Sequence, residues 1–476
     1  MATMGTAERI TIPTNVPSTG IFEVRPLMVE TATKASELLQ RNHDNYHIYI
    51  HNLGLHNHIL HHLLAIYALG GTPCQLENAY NLATDSQRPT RNPDINRVLD
   101  FTDPAKFKKC LGKGKYYDDY FLFFQREIGR NGVPNTVNDF LFKGDERAED
   151  MLRRFFGGFL HSPIHLGYAI EFNQPLVAAE ALALTAIHDA SFGDILELIE
   201  KNAPLSPASE SLIGLQLEIY SNQKFRHAMD YKHGVFQIQN GLLANAREEF
   251  LRVVGSWRVR PQELDEKTAE HLNASLYWTG LAQRPEKQIR IDFFLMHSIT
   301  AGSFWPVLNS APWISPTTKC RLLEWKGRSD LILYCQTGAP LPRPEELAIY
   351  QPQQPSGWQQ IFQRACDYKD DGHLSKLIRG IATAAEISKA HVKNPKFKLT
   401  TDREFLTLAH MAMDSAEQFN RHTGTRETDM IRERYQHVRT LSMEIQRVTA
   451  RWPRHVGFEQ AWFHVPDRKS VGLSHL

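Results

Sequence analysis

Residues 55–71, LHNHILHHLLAIYALGG, are apolar on almost every side of a helical wheel except where histidine stands. At 100° per residue His58, His62, Ala65 and Leu69 fall on one stripe, and Leu60, Leu63, Leu64 and Tyr67 cover the other side. A helix that is apolar all round is a buried helix. Gly70-Gly71 supplies its stop, so the pattern predicts a core helix from Gly54 to Leu69. Burying imidazole without a partner is costly, and imidazole is well suited to hold a transition metal. His58 and His62 stand one turn apart, the spacing that lets one helix chelate one ion. The Glu of the zinc-protease signature is missing between them.

Three further apolar stretches repeat the theme. GGFLHSPIHLGYAIEF (157–172) carries His161 and His165, IDFFLMHSITAG (291–302) carries His297, and DDGHLSKLIRGIA (370–382) carries His373 with Lys376 nearly one turn on. In the first of these, Ser162 and Pro163 read as an N-cap and first helical position. That leaves His161 outside the helix and His165 inside it, stacked with Tyr168, Ala169 and Phe172. Taken singly, each histidine fits a core residue bonded to a carbonyl. Taken together, inward histidines from four helical stretches are how bundles build metal sites in their cores. Four neutral donors leave the ion's charge unbalanced. Two anionic partners are open: Asp371, or a carbamate formed on a neutral, buried Lys376.

The rest of the chain keeps the helical period. TATKASELLQRN (31–42) opens on a capping Thr, and YYDDYFLFFQREIGRNG (116–132) ends at Gly132. ERAEDMLRRFFGGFL, PLVAAEALALTAIHD and ESLIGLQLEIYSNQKF follow, with later helices expected at about 242–254, 286–302, 317–335, 358–366, 372–391, 402–418 and 427–448. Strand-like alternation is almost absent, so the fold class is all-α: a large multi-helix, bundle-like domain with a metal site in its core. Loop-rich stretches lie at 82–97 and 337–357. The second could be a linker, but it falls between His297 and His373, and if both bind one metal it is a surface loop of one domain. Residues 1–27 read as an extended arm, 28–450 as a single helical catalytic domain, and 451–476 as an aromatic, proline-rich cap and tail.

Composition excludes several classes. The 54 basic and 53 acidic residues give a net charge of +1, with no basic patch for nucleic acid. Five cysteines form no C-x-x-C pair, which argues against a disulfide framework or zinc knuckle. No apolar run reaches the ~20 residues of a membrane span, and residues 1–20 do not read as a signal peptide. A cytoplasmic protein is expected, with Ser474-His475-Leu476 as a variant of a peroxisomal address. A homodimer is open.

The four histidine stretches, in this order from about residue 45 to 390, resemble the questin oxidase-like family of fungal secondary metabolism. The resemblance implies oxidative opening of an anthraquinone ring in polyketide biosynthesis, described as a Baeyer–Villiger-type step. It places the motif histidines on His58, His62, His165, His297 and His373, and the motif lysine on Lys376. A flavin or nicotinamide enzyme would show Gly-x-Gly-x-x-Gly between strand and helix; GKGKYY (112–117) has the wrong spacing. Dioxygen then needs a redox metal or a very electron-rich substrate. Iron(II), Fe(2+), is expected over redox-inert zinc, held by His58, His165, His297, His373 and Lys376. His62 or His161 would serve as general base, and Tyr168, Phe293 and Trp305 would wall a flat aromatic substrate. NADPH enters through a separate reductase, if at all. The alternatives are an NADPH-linked Baeyer–Villiger monooxygenase, a metal-dependent hydrolase, or a helical scaffold whose histidines are ordinary core residues.

Overall fold

Proline or a short polar side chain starts several of the helices that matter here, and buried apolar faces hold them together. The computed structural model describes residues 5–50, 55–204, 210–422 and 451–468. The expected helix at 427–448, the Ser-His-Leu terminus and the proposed start at Gly54 lie outside these. Among the described residues helices dominate and no strand forms; the β-type pairs are isolated bridges such as Tyr49 with His56. The all-α expectation holds. No single helix among them is long and apolar enough to cross a membrane.

We number ten helices: α1 (Val29–Asn45), α2 (Ile59–Ala68), α3 (Tyr117–Val137), α4 (Gly157–Glu171), α5 (Pro175–Ile187), α6 (Leu264–Leu281), α7 (Phe293–Gly302), α8 (Pro316–Gln336), α9 (His373–Ser388) and α10 (Asp402–His422). Helix α5 starts on Pro175, and α8 starts on Pro316 with Ser315 accepting from the Thr318 N–H. Asp292 caps α7: one carboxylate oxygen accepts from the N–H groups of Phe294 (2.7 Å) and Leu295 (3.1 Å), the other from Val456 N–H (3.1 Å). Burial pushes the Asp292 carboxyl up to about 6 although these donors oppose it. Asp370 does the same for α9, accepting from Gly372 and Leu374 N–H.

Packing closes four of these helices into a ring. Helix α2 packs on α4 and α9, and α7 packs on the same two. The buried faces of α2, α4, α7 and α9 therefore look at one another across a common centre. Around them α3 lies on α5, α5 on α4, α6 on α7 and α9, and α10 on α9. Residues 5–28 form no helix or strand and are bound to the body. Ile10, Ile12, Val16 and Ile21 are buried, and Thr11, Ile12 and Phe22 donate to Gln174, Ser36 and Thr383. Residues 451–468 cover the helices. Trp452 is buried and Pro453 C=O accepts from Phe293 N–H at the start of α7.

Several local expectations need correction. Helix α1 begins at Val29, so Thr31 lies buried in its first turn instead of capping it, and Met28 stands at the cap without a side-chain bond. Helix α2 begins at Ile59 with His58 at its N-cap position. Residues 287–292 are not helical, because Gln288 N–H donates to Pro466 C=O and the chain turns into helix only after the Asp292 cap. Gly132, with φ 74°, kinks α3 rather than ending it. The sequence pattern missed α6 altogether. Its buried face carries Lys267, Glu270, His271, Asn273 and Ser275, which find partners or burial in the fold and so hide the apolar stripe.

Candidate active site

Each helix of the ring brings one imidazole to the centre. His58 precedes α2, His161 sits in α4, His297 in α7 and His373 opens α9. Neighbouring ring centroids close a circuit: His58 to His161 5.0 Å, His161 to His297 5.5 Å, His297 to His373 5.4 Å, and His373 to His58 4.8 Å. All four are almost fully buried apart from a half-buried His58.

The outer nitrogen of every ring has a hydrogen-bond acceptor. His58 Nδ1 and His373 Nδ1 meet the two oxygens of Asp371 at 3.0 and 2.6 Å. His161 Nδ1 meets Gly158 C=O and His297 Nδ1 meets Phe293 C=O, each at 2.6 Å. Carbonyl and carboxylate oxygens only accept, so each Nδ1 carries the proton and each Nε2 presents a lone pair. Burial keeps three of these rings neutral: it lowers His58 to about 3, and His161 and His297 lie well below the usual histidine range for the same reason. The Nε2 atoms of His297 and His373 have no hydrogen-bond partner. Those of His58 and His161 face each other at 2.8 Å. Two lone pairs at that distance repel unless a cation or a proton lies between them.

This donor set fits a divalent ion with imidazole affinity. Protein metal sites commonly fix ligand histidines by an Nδ1–H bond to a carboxylate or carbonyl. Ligand-type atoms of His58, Asp371 and His373 lie within 4.8 Å of one another, but both Asp371 oxygens are engaged by Nδ1 atoms. Its charge therefore sits behind the rings. Burial opposes that charge, yet His373 and His58 hold the carboxyl well below the usual range. The Lys376 ammonium, buried on α9, has no hydrogen bond or ion pair among the described residues. Burial brings it down to about 8, against the pull of Asp371 and Asp370.

Two placements differ from the sequence expectation. His161, not His165, joins the four. The cause is the backbone of Gly158, Phe159 and Leu160, whose φ values of 53°, 52° and 65° form a left-handed turn. Regular helix resumes near His161 and turns it inward, so the helix does not start at Pro163. Such backbone costs about 1–3 kcal/mol at each of the two non-glycine residues, Phe159 and Leu160. His188 clamps it, since a Cβ on Gly158 would fall 2.4 Å from His188 Nε2. His62 makes no ring contact with the four. It packs on Gly372, where φ is 89° and a Cβ would fall 2.5 Å from the His62 Cβ. With the helix starting at Ile59, His61 takes the inward face instead, 5.9 Å from His58.

His165 belongs to a file of groups. His43 Nδ1 meets Glu180 Oε1 at 2.8 Å, Glu180 Oε2 meets His165 Nε2 at 3.0 Å, and His165 Nδ1 meets His61 Nε2 at 3.1 Å. A carboxylate at one end fixes the protons. His165 donates from Nε2, accepts from His61 Nε2–H, and leaves His61 Nδ1 as a bare, buried acceptor. The bonds from His165 and His43 lower Glu180 to about 2 although burial opposes them. A depressed carboxyl contributes stability above its unfolded value and loses it as pH falls through the folded one. We therefore expect stability, read from thermal melts, to fall between about pH 5 and 2 by on the order of 3 kcal/mol, and Glu180→Gln to show a shallower fall.

Of the expected aromatic walls, Phe293 is half-buried, 4.7 Å from His297 and 5.5 Å from His373. Tyr168 lies beneath the cluster, its hydroxyl donating to His61 C=O at 3.1 Å. Trp305 is elsewhere: the chain turns after α7, and the ring packs near Phe156 and His271, 6.2 Å from each. Sequence reasoning missed His56, stacked 3.8 Å from His161, and also His61, His188 and Glu180. Only His61 had a readable signal, its i, i+3 spacing from His58.

A buried ring of four proton-ordered imidazoles in an all-helical frame defines a candidate oxidative or metal-assisted centre. Comparison with known sequences agrees on the first: the chain belongs to the Questin oxidase-like family, whose profile matches residues 55–381. It is 37% identical to the oxidoreductase AflY of Aspergillus parasiticus, covering 96% of this chain and 93% of that one. It is 32% identical to a questin oxidase of Aspergillus terreus, over 95% and 96%. It is 34% identical to the Baeyer-Villiger oxidase ptaJ of Pestalotiopsis fici, over 80% and 87%.

Proposed function

We propose that this protein cleaves a ring C–C bond of an anthraquinone-type polyketide with dioxygen, at a non-heme iron(II) centre held by His58, His161, His297 and His373. The substrate class is taken from the questin oxidases among its relatives. The observation that carries the metal is the pair of Nε2 lone pairs at 2.8 Å within four that converge. Bound there, iron would supply the electron that dioxygen needs to react with a closed-shell aromatic. The chain's own groups do the rest. His61 Nδ1 accepts a phenolic proton, and the file through His165 to Glu180 carries it away from the substrate. The Lys376 ammonium stabilises the anion so formed. The neutral fraction of Lys376 is open to carbon dioxide, and the carbamate would add an anionic donor. NADPH acts through a separate reductase that prepares the substrate. Phe293 excludes water beside His297 and His373.

One observation favours a second reading. Lys376 already places a positive charge beside the rings, and its charge lowers His58 and His61 further after burial. In that case no metal binds, the Nε2 lone pairs act as bases on a reduced, electron-rich substrate, and the substrate itself reacts with dioxygen. Metal analysis with oxygen-uptake assays decides. About one iron per chain and loss of uptake on chelation support the first reading. Full uptake by metal-free protein supports the second, and no uptake with any reduced or oxidised hydroxyanthraquinone removes both.

A further inference from the structure

Three of the exposed large apolar side chains, Phe159 (42% exposed), Val235 (53%) and Phe236 (59%), line one cavity of about 280 Å³. It opens between the left-handed turn at 158–160 and the segment 235–239, with Phe156, Ile195 and Phe294 among its walls. Exposed apolar groups gathered at a concave mouth mark a ligand site rather than ordinary surface. The volume is near the ~300 Å³ at which small-molecule sites begin, enough for a few fused rings and too small for a peptide.

The cavity and the imidazoles share a wall. Phe159 lines the cavity, and its ring stands 5.3 Å from Phe294 and 6.0 Å from His297. Gly158, on the same turn, holds His161 through its carbonyl. One clamped turn therefore aims an aromatic ring at the cavity and an imidazole at the reaction centre. At the other side of the mouth, Gly234, with φ 52°, has nothing within 4 Å of where a Cβ would stand. The polar lining groups, Asp189, Ser191, Gln239 and Gln336, suit the hydroxyl and carbonyl rim of a quinone better than a pure hydrocarbon.

We propose that this cavity binds the fused aromatic substrate, and that Phe159 is the residue that sets which ring systems reach His297 from it. The assignment rests on the aromatic substrate class argued above. It places the substrate's rings against Phe159 and Phe294 rather than against Trp305 and Tyr168. Phe159 positions the substrate and takes no part in bond making.

The test uses 1,8-dihydroxyanthraquinone as probe, titrated against the full chain and followed by its visible absorption. Phe236→Asp and Val235→Asp alter exposed side chains and leave the core intact. Each should weaken probe binding by about tenfold or more, and raise KM for any oxidised substrate with kcat kept. Phe159→Ala, with Phe159→Leu as the milder variant, should change the ratio of kcat/KM between two-ring and three-ring substrates. His373→Ala should bind the probe as wild type does while losing turnover. Unchanged probe affinity in both aspartate variants, with wild-type oxygen uptake intact, overturns the cavity and leaves the proposed function standing. Weakened binding in those variants without any oxygen uptake by wild type upholds the cavity and removes the proposed reaction. A wild-type chain that binds no probe overturns the cavity assignment.

Discussion

Asp371→Asn is expected to cut turnover by about 10²- to 10⁴-fold while the helices stay folded. Asp371 accepts from two imidazoles at once, His58 Nδ1–H and His373 Nδ1–H. Asparagine keeps the shape but replaces one accepting oxygen by an NH2 group. One of the two histidines then faces a donor and must move its proton to Nε2, which removes a lone pair from the centre. The isosteric side chain keeps the helices folded, but some stability goes with the charge, because His373 and His58 hold the Asp371 carboxyl well below its usual range although burial opposes them. On the metal reading, iron content falls together with activity. On the metal-free reading, activity falls and no metal changes. Equal turnover in Asp371→Asn and wild type would show that the proton order of these rings has no bearing on the reaction.

The residues that the sequence made legible are those on strong apolar periods. His297 sits in a run, IDFFLM, too apolar for a solvated helix, and His373 follows an acidic N-terminal turn; both arrive at the centre. The fold class was legible for the same reason, since helical spacing recurs through most of the chain. His161 and His165 exchanged roles because the left-handed backbone at 158–160 depends on His188, 27 residues or more away in sequence, which no local pattern encodes. His61 replaced His62 because the helix starts at Ile59, five residues later than the expected Gly54, and that start depends on Asn57, whose Oδ1 accepts from Ile59 N–H. Trp305 belongs to a separate short helix, and only the turn after Gly302 decides that. Glu180 lies in a run of alanine and leucine where its value is tertiary: two histidines from α1 and α4 meet it. What escaped the sequence is thus the orientation of the rings it singled out, and the rings of His56, His61 and His188 that only the tertiary packing brings beside them.

Replacing Arg379 by Met should destabilise the fold by about 3–5 kcal/mol, read by denaturant unfolding at pH 7. Arg379 on α9 pairs with Glu171 on α4 through two nitrogens, one of them at 3.1 Å, and both side chains are at most 2% exposed. Its Nε also donates to Phe22 C=O of the N-terminal segment at 2.9 Å, and its guanidinium lies 5.8 Å from the Tyr168 ring centroid. Methionine fills much of the volume and supplies no charge, so Glu171 is left buried and unpaired. Burial already raises the Glu171 carboxyl, with Arg379 opposing it; without Arg379 the value climbs further. A carboxyl raised on folding is penalised above its unfolded value and released below it. The deficit of Arg379→Met should therefore shrink as pH falls from 7 towards 4.5. The double variant Glu171→Leu with Arg379→Met should regain most of the loss, because a matched apolar pair carries no desolvation cost. Its turnover is the more telling readout. The pair ties α4 to α9, with Glu171 ten residues from His161 on α4 and Arg379 six residues from His373 on α9. If the clamp only stabilises, the double variant works like wild type; if it also sets the spacing of those imidazoles, stability returns and turnover does not.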